Sequence, residues 1–282
     1  MSQSRLLLCT DMDRTVIPNG SQAEQPNARQ CFADFCQHPE VTLVYVTGRH
    51  QALVREAIVE YALPEPDFVI TDVGTKIYQV KAGQWLLWQD WEQEIAQDWQ
   101  GKDPDYLKQL FADIDLLELQ EDSKQNTHKL SYYLNLQLDH QAIMGAMEAR
   151  LQTEGICASL IWSIDEATNM GLLDVLPRHA TKLHALEFLQ QQLAFGQDEI
   201  LFAGDSGNDL PVLISQLPSV LVANASDAIK QSAQQQAEQQ GNAAMLYLAQ
   251  ETELSMNGNY TAGVLAGVRH FYPEFYAQME RV

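Results

Sequence analysis

The stretch LLLCTDMDRT, residues 6–15, places two carboxylates, Asp11 and Asp13, directly after an apolar run. An apolar run of this length predicts a buried β-strand. A buried carboxylate without a partner is costly or becomes neutral through a shift of its pKa, so two of them at a strand end indicate a cationic partner. Mg2+ prefers oxygen ligands and is the natural candidate. On spacing alone, turn or capping residues explain the pair better.

Four further apolar runs have strand length, and segments with helical patterns separate the early ones. They cover residues 41–46, 67–71, 199–203 and 219–223. Strands that alternate with helices predict crossover connections and a parallel sheet. Together with the first run they predict one α/β sheet.

The middle of the chain has a different hydrophobic pattern. Amphipathic strands are expected at residues 84–88, 128–137, 158–164 and 171–177. Between them, a helix is expected to start at Asp139 as N-cap, to carry Ile143, Met147 and Leu151 on one face, and to stop at Gly155. This pattern predicts an inserted α+β domain at residues 81–176, within a core domain formed by residues 1–80 and 177–282.

The charge of the chain restricts its partners. Of its 282 residues, 38 are acidic and 17 basic, which gives a formal charge of −21. Such a charge repels nucleic acid and anionic lipid, and no apolar run approaches the roughly 20 residues of a membrane span. The N-terminus has no signal-peptide pattern, and the four cysteines have no metal-ligand spacing. We therefore expect neither a nucleic-acid nor a membrane partner, and reduced, mostly buried thiols in a cytoplasmic protein.

Two other predicted strands end in polar residues. Residues 41–46 lead into Thr47, Gly48 and Arg49, which suit a backbone that approaches an oxyanion closely, although an ordinary N-cap and turn has the same composition. The run GDSGND at 204–209 crowds Asp205, Asn208 and Asp209 into one tight loop. An Asx-turn before a helix explains part of this loop and leaves the crowding unexplained.

Lys182 is the fourth element. Thr181 is expected to cap a helix with Leu183, Leu186, Leu189 and Leu193 on one stripe, so Lys182 falls in its first turn. A lysine there is more often a solvated surface residue. It nevertheless directly follows the insertion, and ligands of open α/β sheets bind at the carboxyl ends of the strands.

These four segments resemble the four motifs of the haloacid dehalogenase-like (HAD) phosphohydrolase superfamily. The resemblance covers Asp11-Met12-Asp13-Arg14-Thr15, Thr47, Lys182 and the run 204–209. It implies a Rossmann-like core with a parallel sheet and an inserted α+β cap of type C2B. Four stretches further resemble sucrose-6-phosphate phosphatases: DVGTKIY (72–78), HKLSYYL (128–134), LLDVLP (172–177) and TAGVLAGVRHF (261–271).

The resemblance also implies roles for individual residues. Asp11 is expected to be the nucleophile and Asp13 the general acid and base. Mg2+ is expected at Asp11, the backbone carbonyl of Asp13, and Asp205, with Asp209 holding a water of the metal. The phosphate is expected to be surrounded by Thr47, Gly48, Asn208 and Lys182, with Arg49 as a further candidate. Sugar recognition is expected from His128, Lys129, Ser131 and Asp174, although the pattern at Asp174 equally suits a plain exposed strand residue.

The substrate implied by the resemblance is sucrose-6-phosphate. The chain departs from the family pattern at Arg14, where relatives often have Asn, at Lys76, where an acid is common, and in RHATK (178–182). Phosphates of mannosylfructose and glucosylglycerol, and a glycosyl-3-phosphoglycerate, are therefore alternative substrates. An alternative of another class is a non-catalytic protein that binds a sugar phosphate and is a partner of sucrose-phosphate synthase. A catalytically active phosphatase can also associate with that synthase.

Overall fold

The computed structural model describes residues 5–165, 169–250 and 257–279 and divides the chain into two compact units. The first unit comprises Met1–Leu87 and Lys182–Val282, and the second comprises Trp88–Thr181. Both boundaries lie several residues further along the chain than the 80/81 and 176/177 that the sequence pattern predicts.

The described residues form twelve strands and ten α-helices. The strands are β1 (Leu6–Thr10), β2 (Val41–Val46), β3 (Phe68–Thr71), β4 (Lys76–Lys81), β5 (Gln84–Leu87), β6 (Glu118–Leu119), β7 (Leu130–Leu134), β8 (Ala158–Asp165), β9 (Met170–Pro177), β10 (Ile200–Gly204), β11 (Ser219–Leu221) and β12 (Leu246–Leu248). The helices are α1 (Ala28–Cys36), α2 (Gln51–Glu60), α3 (Gln89–Ala96), α4 (Pro104–Leu110), α5 (His140–Thr153), α6 (Lys182–Gln192), α7 (Leu210–Leu213), α8 (Asp227–Gln239), α9 (Tyr260–Phe271) and α10 (Pro273–Met279).

The first unit is built on an eight-stranded sheet in the order β12-β11-β10-β1-β2-β3-β4-β5. The five predicted runs are its consecutive strands β11, β10, β1, β2 and β3, and all of these pair in parallel. The predicted α/β class is thus confirmed. Strand β12 extends the parallel part, whereas β4 and β5 pair antiparallel.

The assignment of residues 84–87 to the insertion is wrong, because β5 belongs to this first sheet. A two-residue turn at Ala82 and Gly83 joins β4 to β5, and both turn residues have positive φ, +48° and +74°. Turns with this geometry match the twist of antiparallel strands, so the chain folds straight back on β4 as a hairpin.

Strand β1 lies buried in the middle of the sheet. Every residue of β1 is buried, and β10 and β2 flank it on either side. Leu6 and Leu8 pack with Leu43 and Leu201 in one apolar cluster. The chain after β1 therefore emerges at the centre of the carboxyl edge of the sheet, beside the ends of β2 and β10.

The second unit contains an antiparallel sheet in the order β6-β7-β9-β8. Leu130, Tyr132 and Leu134, which alternate along β7, form one buried face. They pack in a cluster with the stripe of α5, which consists of Ile143, Met147 and Leu151. Asp139 caps α5 by accepting a hydrogen bond from the backbone N–H of Ala142 at 3.0 Å.

The cysteines differ from expectation. Cys9 is buried and Cys36 is half-buried, but Cys31 and Cys157 are exposed, and all four are unpaired. The prediction of mostly buried thiols is therefore wrong for two of the four. Within residues 5–165, 169–250 and 257–279, no helix is both long and apolar enough to cross a membrane.

Candidate active site

Three carboxylates meet at the carboxyl edge of the first sheet. Asp11 follows β1, and its backbone N–H donates to the carbonyl of Ala203 in β10 at 2.8 Å. Asp205 and Asp209 follow β10 itself. Because β1 and β10 are parallel neighbours, carboxylate oxygens of all three residues lie within 4.8 Å of one another, and all three residues are buried. The structure thus brings together three of the predicted metal-site residues.

The loop after β10 holds Asp209 firmly. One of its carboxylate oxygens accepts hydrogen bonds from the backbone N–H groups of Asp205 and Ser206, both at 3.1 Å. A Cβ on Gly204 would lie 2.6 Å from the Asp209 carboxyl carbon, so any larger residue would displace this carboxylate. The glycine of the run 204–209 is therefore required by the close approach of Asp209.

Lys182 joins these acids. It is the first residue of α6 and is only 3% exposed. Its Nζ donates to Asp11 and Asp209 at 2.7 Å each, and to the side-chain oxygen of Asn208 at 3.4 Å. Burial opposes the charge, but the two carboxylates outweigh it and hold the pKa of Lys182 above its ordinary value. The lysine is thus a buried cation of the site and not a solvated surface residue.

Lys182 does not fully compensate the negative charge of the three carboxylates. Burial, with repulsion from Asp209 and Asp205, raises the pKa of Asp11 to about 8 in spite of Lys182. Burial and Asp209 likewise raise the pKa of Asp205 to about 6. A buried oxygen cluster in which negative charge is unfavourable attracts another cation, and oxygen donors suit Mg2+. The residues present therefore fit a divalent metal ion.

Asp13 has a different environment from Asp11. The guanidinium of Arg49 donates to both of its carboxylate oxygens, at 2.8 and 2.7 Å, and Asn19 adds a third hydrogen bond at 2.7 Å. Burial opposes the anion, but these donors hold the pKa of Asp13 below its ordinary value. Arg49, expected near the phosphate, here pairs with Asp13, and its contact with phosphate stays a prediction.

Thr47 and Gly48 follow β2 and lead to Arg49. Thr47 is buried, and its hydroxyl oxygen accepts a hydrogen bond from the backbone N–H of Arg49 at 3.1 Å. The carbonyl of Thr47 accepts from Val73, and that of Arg49 accepts from Asp72. These two partners both have positive φ, so a strained turn after β3 supports the Thr47 segment.

Sequence reasoning missed three polar residues around these acids. Asn19 binds Asp13, Ser206 donates to Asn208 at 2.9 Å, and Asn224 binds the backbone of Arg14 at 2.6 Å. Ser206 lies inside the recognised run 204–209, which is a usable signal. Asn19 and Asn224 stand outside every motif, so only the fold reveals their positions.

The second unit contains the residues expected to recognise the sugar. Ser131 of β7 pairs with Asp174 of β9 in the sheet register, and its hydroxyl donates to the Asp174 carboxylate at 2.5 Å. Lys129 forms an ion pair with the other oxygen of this carboxylate at 3.4 Å. The ring of His128 lies 5.9 Å from that of Trp99, measured between centroids. Lys129, Ser131 and Asp174 thus form one polar group.

Comparison with known proteins first defines the class. A protein of Nitrosococcus oceani described only as a HAD-like hydrolase is 50% identical over 278 residues, which is 99% of this chain and 75% of that protein. The chain is therefore a HAD-like hydrolase.

The family model of sucrose-6F-phosphate phosphohydrolase matches residues 4–272, so the chain belongs to this family of phosphatases. The crystal structure of the sucrose-phosphatase from Synechocystis sp. PCC6803, in complex with sucrose and phosphate, superposes with a TM-score of 0.71. The two sequences are 27% identical, and the match covers 95% of this chain and 98% of that one.

Two further relatives are named for different sugar phosphates. The mannosylfructose-phosphate phosphatase of Agrobacterium fabrum is 32% identical, over 78% of this chain and 83% of that protein. Sucrose-phosphatase 1 of Nicotiana tabacum is 30% identical over 82% of this chain. The chain spans about half (53%) of the length of the tobacco protein.

Proposed function

We propose that this protein is a Mg2+-dependent phosphatase that hydrolyses sucrose-6-phosphate to sucrose and phosphate. The observation that carries the proposal is the buried cluster in which Lys182 binds Asp11 and Asp209 beside Asp205. A cluster of this kind positions a carboxylate nucleophile and stabilises the charge of a phosphoryl group. Membership of the sucrose-6F-phosphate phosphohydrolase family supports the choice of substrate.

Asp11 is the proposed nucleophile. Its carboxylate oxygen forms a bond to phosphorus while the bond from phosphorus to the sugar oxygen breaks, and Asp13 gives that oxygen a proton. Water then attacks the aspartyl phosphate, transfers its proton to Asp13, and releases phosphate and free Asp11. Lys182 orients Asp11 throughout, since its Nζ binds the carboxylate at 2.7 Å.

The hydrogen bonds on Asp13 favour one half of this cycle. Arg49 and Asn19 stabilise the anion, which suits the step in which Asp13 accepts a proton from water. For the step in which Asp13 donates a proton, these bonds have to loosen. Arg49 is then free to bind a phosphoryl oxygen, together with Thr47 and Gly48, as the resemblance implies.

The proposed metal ligands are the carboxylates of Asp11 and Asp205 and the backbone carbonyl of Asp13. When bound, Mg2+ supplies positive charge to the phosphoryl oxygens. Asp209 is held in place by Lys182 and by the N–H groups of its own loop, and its proposed role is to bind a water of the metal. Asn208 is a further proposed phosphate contact beside Lys182, whose Nζ lies 3.4 Å from the side-chain oxygen of Asn208.

The inserted unit is the proposed recognition domain for the sugar. Its Lys129, Ser131 and Asp174 combine donors and acceptors in one preorganised group, and groups of this kind bind sugar hydroxyls. His128 is a further candidate. Sequence similarity also supports mannosylfructose phosphate as a second substrate candidate, because the mannosylfructose-phosphate phosphatase of Agrobacterium fabrum is 32% identical to this chain.

Two features of the cellular setting belong to the proposal. Four unpaired cysteines, two of them exposed, suit a reducing compartment such as the cytoplasm. We also propose an association with sucrose-phosphate synthase, because an enzyme of that class supplies the phosphate ester. Co-purification of the two proteins tests it.

The test is phosphate release from a panel of esters, in Mg2+ and in EDTA. The panel contains sucrose-6-phosphate, mannosylfructose phosphate, glucosylglycerol phosphate and a glycosyl-3-phosphoglycerate, and Asp11→Asn is the control. We expect the highest kcat/KM with sucrose-6-phosphate and no turnover in EDTA. Preference for another ester would refute the substrate, and inertness toward the whole panel would refute the enzyme.

A further inference from the structure

Arg14 contacts the metal site and has no role in the proposed reaction. Its Nε forms an ion pair with the Asp205 carboxylate at 3.0 Å. The Asp205 side chain is only 4% exposed, whereas that of Arg14 is 44% exposed. The pair therefore reaches from the protein surface to one of the buried acids that the metal is proposed to use.

The position of Arg14 is fixed by its surroundings. Its Nη2 donates to the carbonyl of Asn224 at 3.1 Å, and the Asn224 side chain donates back to the carbonyl of Arg14 at 2.6 Å. Asn224 is itself buried, and its side-chain oxygen accepts from the backbone of Tyr260 at 2.8 Å. An arginine held at both its backbone and its guanidinium is part of a built arrangement and not a mobile surface charge.

Two cations, Lys182 and Arg14, share the three carboxylates of the site. Lys182 forms its ion pairs with Asp11 and Asp209, whereas the ion pair of Asp205 is with Arg14. Arg14 therefore forms a direct ion pair with the third acid, and Lys182 acts on this acid from a greater distance. Arg14 lowers the cost of keeping Asp205 charged next to Asp209 in the protein without metal.

We propose that Arg14 is an internal counter-ion that competes with the divalent cation for Asp205. The inference rests on the proposed function, because it takes Asp205 as a metal ligand. Binding of the metal places two positive groups on one carboxylate, so the ion pair weakens as the metal binds. Arg14 then stabilises the metal-free protein and lowers its affinity for Mg2+.

The substitution Arg14→Asn isolates this effect. Arg14 has φ +59°, a left-handed conformation that Asn tolerates better than most residues, so the backbone is not strained by the change. Arg14→Lys keeps the charge but loses the planar guanidinium that reaches both Asp205 and Asn224. Arg150→Asn is the matched control, because it also removes an arginine from an ion pair with an aspartate, Asp113, but in the second unit.

The first measurement is titration calorimetry of each metal-free protein with MgCl2 and no substrate. We expect Arg14→Asn to bind Mg2+ about tenfold more tightly than the unmodified protein, since the removed charge is close but partly solvated. Arg14→Lys should fall between the two, and Arg150→Asn should match the unmodified protein.

The second measurement is the melting temperature with and without saturating Mg2+. Without metal, Arg14→Asn should melt below the unmodified protein, and Mg2+ should raise its melting temperature by the larger amount. This readout does not depend on turnover. If Arg14→Asn does not fold, Arg14→Lys carries the test with the same signs.

The outcomes separate the two proposals. Unchanged or weaker Mg2+ binding by Arg14→Asn would overturn the counter-ion role. Unchanged Mg2+ binding together with a raised KM would instead make Arg14 a substrate contact and would also overturn it. No Mg2+ binding by the unmodified protein would refute the proposed metal site itself.

Discussion

Replacement of Lys182 by methionine tests the electrostatics of the site most severely. Methionine keeps much of the length of the side chain and removes its charge. Lys182 lies 2.7 Å from carboxylate oxygens of both Asp11 and Asp209. Its removal leaves Asp11, Asp205 and Asp209 buried together without their central cation.

The magnitude follows from the burial of the pair. Breaking a buried ion pair by removing one partner costs about 3–5 kcal/mol. Protonation of Asp11 relieves part of this cost, because the pKa of Asp11 is already raised to about 8 and Lys182 is the group that lowers it. The pKa of Asp11 in Lys182→Met therefore lies still higher.

The pH dependence of the loss has a definite sign. A carboxyl group whose pKa is higher in the folded than in the unfolded protein makes the fold less stable as pH rises toward the folded pKa. The free energy of unfolding of Lys182→Met should thus be nearer to that of the unmodified protein at pH 6. The deficit should be larger at pH 9, which lies above the pKa of about 8 that Asp11 has beside Lys182.

The assay is urea unfolding of the metal-free proteins, followed by circular dichroism at both pH values. Lys230→Met is the matched control, since Lys230 forms only a 3.8 Å ion pair with the exposed Asp227. Its loss should stay within about 0.5 kcal/mol at either pH. Equal stability of Lys182→Met and the unmodified protein at pH 9 would refute this account of the cluster.

Three other substitutions test separate parts of the site. Asp11→Asn should abolish phosphate release, yet its melting temperature should equal or exceed that of the unmodified protein, because the site disfavours charge on Asp11; an unchanged rate would remove Asp11 from the chemistry. Gly204→Ala should lose about 1–3 kcal/mol in urea unfolding, since its Cβ would lie 2.6 Å from the Asp209 carboxyl carbon; an unaltered unfolding midpoint would show that Asp209 can move freely. Lys129→Met should raise KM for sucrose-6-phosphate at constant kcat, as expected for a group that binds substrate and transition state equally; a fall in kcat with constant KM would argue against a role in sugar binding.

The central strands could be predicted because each is a continuous apolar run. Burial on both faces of a parallel sheet removes the alternation of residues, and the runs at 6–10 and 41–46 show this directly. Strand β12 was not predicted; it lies at the edge of the sheet and its three residues are only half-buried, unlike the buried strand β11 of the same length. Strand β5 was assigned to the wrong domain because its pattern is amphipathic and the Ala82-Gly83 turn carries no strong signal.

The residues of the site also divide into those that the sequence predicts and those that it does not. Asp11, Lys182 and the loop at 204–209 could be predicted because the motifs fix both residue type and strand end. The partners of these residues could not. Arg14 meets Asp205 across 191 positions of sequence, and the bond from Arg49 to Asp13 depends on side-chain geometry that no local pattern encodes.

The most direct test of the account is to trap the phosphoryl group on the enzyme. The protein is mixed with sucrose-6-phosphate and Mg2+, quenched in acid, and reduced with borohydride, which converts an aspartyl phosphate to homoserine. Peptide mass spectrometry then locates the modified residue. The account predicts homoserine at position 11 and nowhere else, and none when EDTA replaces Mg2+. Steady release of phosphate with an unmodified Asp11 would contradict it.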